Sequence, residues 1–385
     1  MKNNKSLSII FLVVFIDLLG FGIILPLLPY IAERYQATPF TIGLLTSVYS
    51  FFQLIASPIL GRLSDRYGRK KLLIISQLGS AFGYIILGLA GNLPLLFLSR
   101  IIDGITGGNI SIAQAYIADV TTKENRAKGM GIMGAAFGLG FIFGPAIGGA
   151  LSNISYAAPA YFATAVSLIS TLATIFLLKE SVNIKKARVS PRTSFSLAEF
   201  KRVLSLKQIG LMIFIFFIIN FAFSIMQGNF ALWTQKSFNF TPANNGWLFT
   251  YVGIVAVLVQ LRILPYFTGR FKEKTILHLS LILMALGLLF IPLSFNPNLL
   301  YVALTLLPLG NGLAMPTIQA MASENVPPEE YGETLGFLQS AGSMGRILGP
   351  VIGGEIFQLL GKDPAFYFAA LIMAGLLVYL RLKLK

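Results

Sequence analysis

The chain contains no cysteine and a single histidine, His278. The first absence excludes a disulfide framework, a thiolate metal site and a thiol nucleophile. The second excludes histidine metal clusters and a Ser/His/Asp grouping built around several imidazoles. His278 follows Lys272 and Lys274 and reads as a helix-end residue. Charge is also scarce, with 12% of residues Asp, Glu, Lys or Arg, where a soluble domain carries about 25%. No glycine-rich Walker loop is available to hold ATP. These absences argue against an enzyme and leave no expected organic cofactor or metal.

What remains is apolar. Hydrophobic residues make up 55% of the 385, and runs near the roughly 20 residues that span a bilayer as a helix recur along the whole chain. Twelve are countable, so the expected fold class is an all-α membrane protein of twelve transmembrane helices in two pseudo-symmetric six-helix bundles. The first run, Leu7 to Ala32, is too long for the core of a cleaved signal and lacks a small-residue cleavage site, so it is expected to be retained. A net charge of +15 could indicate a nucleic-acid partner, but its placement excludes that reading. With a cytoplasmic amino terminus, 25 of the 30 Lys and Arg fall in the tail and loops of one side, and Arg34, Lys236 and Lys362 fall on the other. This is the positive-inside bias. It predicts a multi-pass protein of the cytoplasmic membrane with both termini cytoplasmic, the bilayer as its main partner, and no second protein chain.

The basic stretch Lys179 to Lys207 divides the chain into an amino-terminal bundle (1–180), a basic linker (181–207) and a carboxyl-terminal bundle (208–385). The halves align at an offset of 205 residues. "GLGFIFGPAIGG" (138–149) meets "SMGRILGPVIGG" (343–354), which superposes Gly140, Gly144, Pro145, Gly148 and Gly149 on Gly345, Gly349, Pro350, Gly353 and Gly354. The same offset pairs "AQA" (113–115) with "IQA" (318–320), Glu124 with Glu329 and Gly131 with Gly336. Several separated matches at one offset indicate two parallel repeats.

Four segments in order carry a family resemblance: "DLLGFGIILPLLP" (17–29), "GRLSDRYGRKKLL" (61–73), "LSRIIDGITGG" (98–108) and "GFIFGPAIGG" (140–149). The second resembles the loop signature of the major facilitator superfamily, the third its fourth-helix signature, and the last the fifth-helix signature of its antiporters. The set is similar to the twelve-helix drug/proton antiporters, with the tetracycline-efflux proteins nearest over the first 150 residues. The resemblance implies export of a small-molecule substrate by alternating access, with protons as the coupling ion. It also implies a charge network on the cytoplasmic side.

Each motif has a physical reading of its own. Gly61 removes a side chain where helix two is expected to approach another helix. Asp65 is an acid able to face a positive helix N-terminus; flanked by Arg62, Arg66 and Arg69, it is expected to latch the halves by meeting the start of helix eleven near Tyr331. Asp119 and Arg126 would extend this gate, and Gly68 belongs to it. Positive-inside topology alone accounts for the basic residues but not for Gly61, Asp65 or Gly68. The glycines of helix five provide a small-residue face for helix packing. Pro145 and Pro350 weaken their helices, and the pattern leaves open whether these elements are hinges or tight packing only.

Ionisable residues inside a bilayer are costly and mark function by default. Those expected there are Asp17 in helix one, Arg100 and Asp103 in helix four, and Arg346 in helix eleven. Asp17 lies near the midplane, where an ionised carboxylate is costly, so it is a candidate for exchanging a proton. Arg100, Asp103 and Gln114 share one face of an unbroken helix four, so Arg100 could stabilise ionised Asp17 or pair internally with Asp103. Further polar positions predict a substrate cavity: Tyr49 and Gln53, with Thr46, in helix two; Asn220 and Gln227, with Ser224, in helix seven; Asn311 in helix ten; and Gln339 with Arg346 in helix eleven. Two departures from the tetracycline-efflux pattern, Gly83 and Met284 where those proteins carry acids, make tetracycline a doubtful substrate. Arg346, which has no counterpart there, points to neutral, zwitterionic or anionic compounds. A metabolite or sugar carrier of the same fold is the alternative; a non-transporting sensor would need no buried acid.

Overall fold

The computed structural model describes residues 4–121, 125–181, 207–324, 326–327 and 331–383, and all of its regular structure is helical. The basic linker falls almost wholly outside the described residues, as do Glu124, Glu329 and the side chain of Arg126.

The first half contains α1 (Asn4–Ile24), α2 (Pro39–Tyr67), α3 (Arg69–Leu89), α4 (Leu93–Thr106, resumed at Asn109–Val120), α5 (Arg126–Ser152) and α6 (Ala158–Leu177). The second contains α7 (Lys207–Phe238), α8 (Pro242–Leu258, continued through a widened turn at Val259–Ile263 to Leu264–Thr268), α9 (Glu273–Leu293), α10 (Pro297–Glu324), α11 (Tyr331–Leu360) and α12 (Pro364–Lys383). Eleven of these segments are long and apolar enough to cross a membrane; α11, with 30 residues, makes the twelfth. The twelve-helix expectation therefore holds. α8 runs on to Thr268, so only residues 269–272 connect it to α9.

By packing, the chain separates into two compact units. One comprises Met1–Ala37, Val48–Pro191 and Phe240–Thr250; the other comprises Thr38–Ser47, Arg192–Asn239 and Tyr251–Lys385. Two helices, α2 and α8, thus begin in one unit and continue in the other. In the first unit α1 packs on α5 and α6, and α3 packs on α4 and α6. In the second, α7 packs on α11 and α12, and α9 packs on α10 and α12. The pairings α1–α5 and α7–α11, α3–α4 and α9–α10, and α3–α6 and α9–α12 repeat the sequence offset in three dimensions.

The glycine faces explain the tightest of these pairings. A Cβ placed on Gly140 would stand 2.7 Å from Leu18 Cβ, and one on Gly144 would stand 2.8 Å from the Leu19 carbonyl oxygen, so α5 lies directly against the α1 backbone. In the second unit Cβ atoms on Gly345 and Gly349 would each meet the Phe221 backbone at 2.7 Å. Gly149 points elsewhere, to the Ala243 and Gly246 backbone at the start of α8. That start is tied to its unit by Tyr30, whose hydroxyl donates to the Phe240 carbonyl (2.7 Å) and accepts from Asn245 Nδ2 (2.6 Å). The start of α2 is held in the second unit by Ser47 Oγ, which donates to the Ile347 carbonyl at 2.6 Å. A polar seam adds to α3 and α6: Gln77 Nε2 donates to Ser170 Oγ (2.8 Å) and Ser167 Oγ to the Gln77 carbonyl (3.1 Å). In lipid such small-residue contacts and interhelical hydrogen bonds replace the hydrophobic drive that packs soluble helices. Pro145 and Pro350 lie within α5 and α11, and both helices continue past them.

Gly144→Leu and Gly349→Leu are accordingly expected to abolish recovery of folded protein, whereas Gly131→Ala, where a Cβ meets nothing within 4 Å, is expected to be neutral. Size-exclusion profiles and melting temperatures of the three variants in detergent check this; a monodisperse Gly144→Leu protein with parental stability would contradict it.

Candidate functional site

The costly groups of the first unit gather where α1, α3 and α4 meet. Asn92 accepts from the Leu95 amide at 3.0 Å and, with Pro94, starts α4. Two turns on, Arg100 and Asp103 are both buried and paired, Nη1 to Oδ2, at 3.3 Å. Arg100 Nη2 also donates to Ser99 Oγ (3.2 Å), which leaves Arg100 Nε buried without a hydrogen-bond partner. Asp17 does not take this arginine. Its carboxylate accepts from Asn109 Nδ2, a buried amide of the resumed α4. Of the two readings of Arg100, the internal pair with Asp103 is the one the geometry gives.

Asn109 was not legible as a partner, for a definite reason. At about 100° per residue an unbroken helix puts it about 180° from Arg100, away from the polar face. The helix is broken at Gly107 and Gly108, however, whose backbones lie near ψ 13° and 4°. Beyond the break Gln114 is exposed, while Arg100 and Asp103 are buried. Gly83 lies beside this group, where a Cβ would meet Asp103 Cβ at 3.3 Å. Asp103 and the Ser99 carbonyl stand where a longer residue at position 83 would begin. On α2, Gln53 Nε2 donates to the Tyr49 hydroxyl and to the Gly107 carbonyl, both at 3.0 Å, and so ties α2 to the break in α4.

At the Gly61–Lys71 turn the structure builds a charge network inside the first unit. Arg69 is buried; it pairs with Asp65 one turn earlier and with Asp119 at 3.1 Å. A residue the sequence reading passed over completes it. The Glu180 carboxylate accepts from the backbone amides of Arg69 (2.9 Å) and Lys70 (3.2 Å), capping the positive start of α3. Gly68, immediately before, has no side chain with which to cap and sits at φ 99°, a conformation favouring glycine. Gly61 is not sterically required within this unit, since a Cβ there would meet only Ser111 Oγ at 3.9 Å. Its role is through its carbonyl, which accepts from Arg69 Nη1 at 3.3 Å. The signal for Glu180 was an isolated acid at the end of an apolar run, ahead of the basic stretch.

In the second unit Arg346 Nη1 donates to Asn220 Oδ1 (3.2 Å) and Nη2 to Ser343 Oγ (2.8 Å), joining α11 to α7. Asn220 Nδ2 in turn donates to the Phe216 carbonyl at 2.8 Å. Gln227 and Asn311 are half-buried and Gln339 is exposed. Among the described residues, no three His, Cys, Asp or Glu side chains converge to hold a metal.

A sequence profile described as the Major Facilitator Superfamily matches residues 10–264 and 212–385. This chain belongs to the major facilitator superfamily. It is therefore a multi-pass membrane transporter and not an enzyme. Among curated relatives, it is 33% identical to Multidrug resistance protein 2 of Bacillus subtilis (strain 168) over 379 residues, covering 97% of this chain and 94% of that one. It is 30% identical to Tetracycline resistance protein, class C, of Escherichia coli over 360 residues, covering 93% and 91%. Solved structures share the fold. The nucleoside transporter NupG superposes with a TM-score of 0.77 at 18% identity over 99% of both chains. The human organic anion transporter MFSD10 superposes with a TM-score of 0.74 at 22% identity over 98% of this chain and 99% of that one.

In this facilitator the loop signature is organised around Arg69, and the variants separate its partners. Arg69→Ala strands two acids and is expected to cost about 1.5–3 kcal/mol. Asp65→Asn, at a half-exposed partner, is expected to cost under about 1 kcal/mol. Melting curves in detergent check the order; an Asp65→Asn protein less stable than Arg69→Ala would show that Arg69 is not the hub.

Proposed function

We propose that this transporter exports small amphipathic compounds across the cytoplasmic membrane in exchange for protons, acting as a monomer with both termini cytoplasmic. The observation that carries the reading is Asp17, a carboxylate within an apolar helix whose partner is the neutral amide of Asn109 rather than a cation. An amide can donate to the ionised acid and, by rotating, accept from the protonated one, so it holds the side chain in place through both states. A guanidinium would favour the ionised state alone. Arg100 is withdrawn from that role by Asp103. Efflux as the direction is supported by the relatives named for multidrug and tetracycline resistance. The fifth-helix "GPAIGG" resembles that of antiporters.

Arg346 bears on the substrate. Its guanidinium donates to Asn220 and Ser343, and its planar fork is matched to a carboxylate or other anionic group on a transported compound. Preferred substrates are then neutral, zwitterionic or anionic amphiphiles rather than permanent cations. The Asp65–Arg69–Asp119 network and Gly68 belong to the gate, and they set how readily the transporter opens.

Proteoliposomes loaded with a pH-sensitive dye test the proton. Asp17→Asn is expected to abolish uphill accumulation driven by a pH gradient and the accompanying proton flux, while downhill substrate equilibration persists. Unchanged accumulation in that variant would remove Asp17 from coupling. Arg346→Ala is expected to abolish transport of anionic amphiphiles, and Arg346→Lys to retain part of it. Parental transport of lipophilic monocations as the best substrates, undiminished in Arg346→Ala, would overturn the assignment of substrate charge.

A further inference from the structure

The second unit contains a groove that none of the transport residues enters. It lies beside the widened turn of α8 at Val259–Ile263, where the Leu264 amide reaches back five residues to the Val259 carbonyl. Pro265 follows at once and has no amide to offer the Leu261 carbonyl, which is why the regular pattern fails here. The space measures about 470 Å³ and adjoins α9 and α10, within the range of roughly 300–1,000 Å³ that holds one small molecule. Leu279, Leu283, Leu309 and Leu313 form its apolar wall, and Arg262 and Tyr266 border it chiefly through the apolar parts of their side chains. Below the wall, Val259, Ile276 and Leu313 form a closed apolar floor.

The charge beside this apolar space is predominantly basic. Arg270 lies over the Tyr266 ring, 4.1 Å from its centroid, and hydrogen-bonds its hydroxyl, so a second guanidinium is fixed at the groove's rim. Lys272, Glu273 and Lys274 follow in the chain and add a net charge of +1. The three ion pairs among the described residues all lie in the other unit, and none involves Arg262 or Arg270. Arg262 is six residues inside the end of α8, about 9 Å at 1.5 Å per residue. An arginine at that depth is tolerated where it reaches the interface or finds an anion.

We propose that this groove binds one anionic phospholipid, its phosphodiester held by Arg262 and Arg270 and one acyl chain lying along the four leucines. Basic pockets between membrane helices are matched to anionic head groups by charge, and the guanidinium fork is matched to phosphate by shape. A cationic compound is repelled by the rim. An apolar compound offers no counter-charge to Arg262 and Arg270. The site is separate from Asp17 and Arg346 and does not depend on the transport reading.

The test places a reporter at the groove. Full-length protein carrying Phe267→Trp is reconstituted in phosphatidylcholine with a small fraction of phosphatidylglycerol, one or the other lipid bearing brominated acyl chains. With the signal of Trp233 and Trp247 subtracted using the parental protein, quenching per brominated lipid is expected to be several-fold stronger for phosphatidylglycerol. Arg262→Gln/Arg270→Gln should remove that preference, and Arg262→Lys should keep part of it. Native mass spectrometry without the tryptophan supplies the second readout: retained phosphatidylglycerol adducts on the parental protein, and several-fold fewer on the double variant. Equal quenching by the two lipids, or a preference and adducts unchanged by the double variant, overturns the proposal. So does quenching relieved by a transported compound with adducts unaffected, which would make the groove a compound site, or crosslinking of two copies through position 283.

Discussion

Backbone-to-backbone contact at glycine holds each half of this transporter together. Lipid tails are as apolar as leucine, so burying apolar surface between helices gains little, and association depends on how closely two helices can approach. The Gly140, Gly144 and Gly148 face of α5 lies against the α1 backbone, and the Gly345 and Gly349 face of α11 against that of α7. These two approaches place Asp17 and Asn220, respectively, within their units. Bulk on the glycine face would therefore displace the helix that carries the proton candidate in one half and the partner of Arg346 in the other. Packing and chemistry are coupled because α1 and α7 serve both.

Ionisable groups are few, and each is handled differently. Arg100 and Asp103 pair with one another on one helix, which neutralises two buried charges locally. Arg69 collects acids from α2 and from the end of α4, while Glu180 caps the helix that Arg69 begins. Asp17, among the described residues, receives an amide. The difference is physical: an acid locked to a cation has little freedom to change protonation, whereas one held by an amide keeps its position in either state. Arg346 donates to an amide and a hydroxyl and so joins α11 to α7.

The helix count and the repeat were legible from residue types because they depend on one-dimensional properties. A span needs length and hydropathy, a basic loop needs charge, and an offset of 205 residues needs only identity at matched places. The candidate site was partly legible. Asp17, Asp65, Arg69 and Asp119 stand out as charges in context, and the structure gives each a partner. Asn109 and Glu180 did not stand out, since one sits opposite the polar face of a straight helix and the other acts through backbone amides 110 residues away.

By itself the sequence determined that this is a twelve-helix membrane protein, built twice over, with a handful of acids and bases placed where lipid makes them expensive. Only the tertiary structure decided which of those groups meet. The reason lies in three local departures from regular helix: the break at Gly107 and Gly108, the positive φ of Gly68 and the widened turn before Pro265. Each rotates everything beyond it by an amount that helical periodicity cannot supply. Asn109 is turned onto Asp17, Arg69 is brought against Asp119, and Arg262 is set at the mouth of a groove.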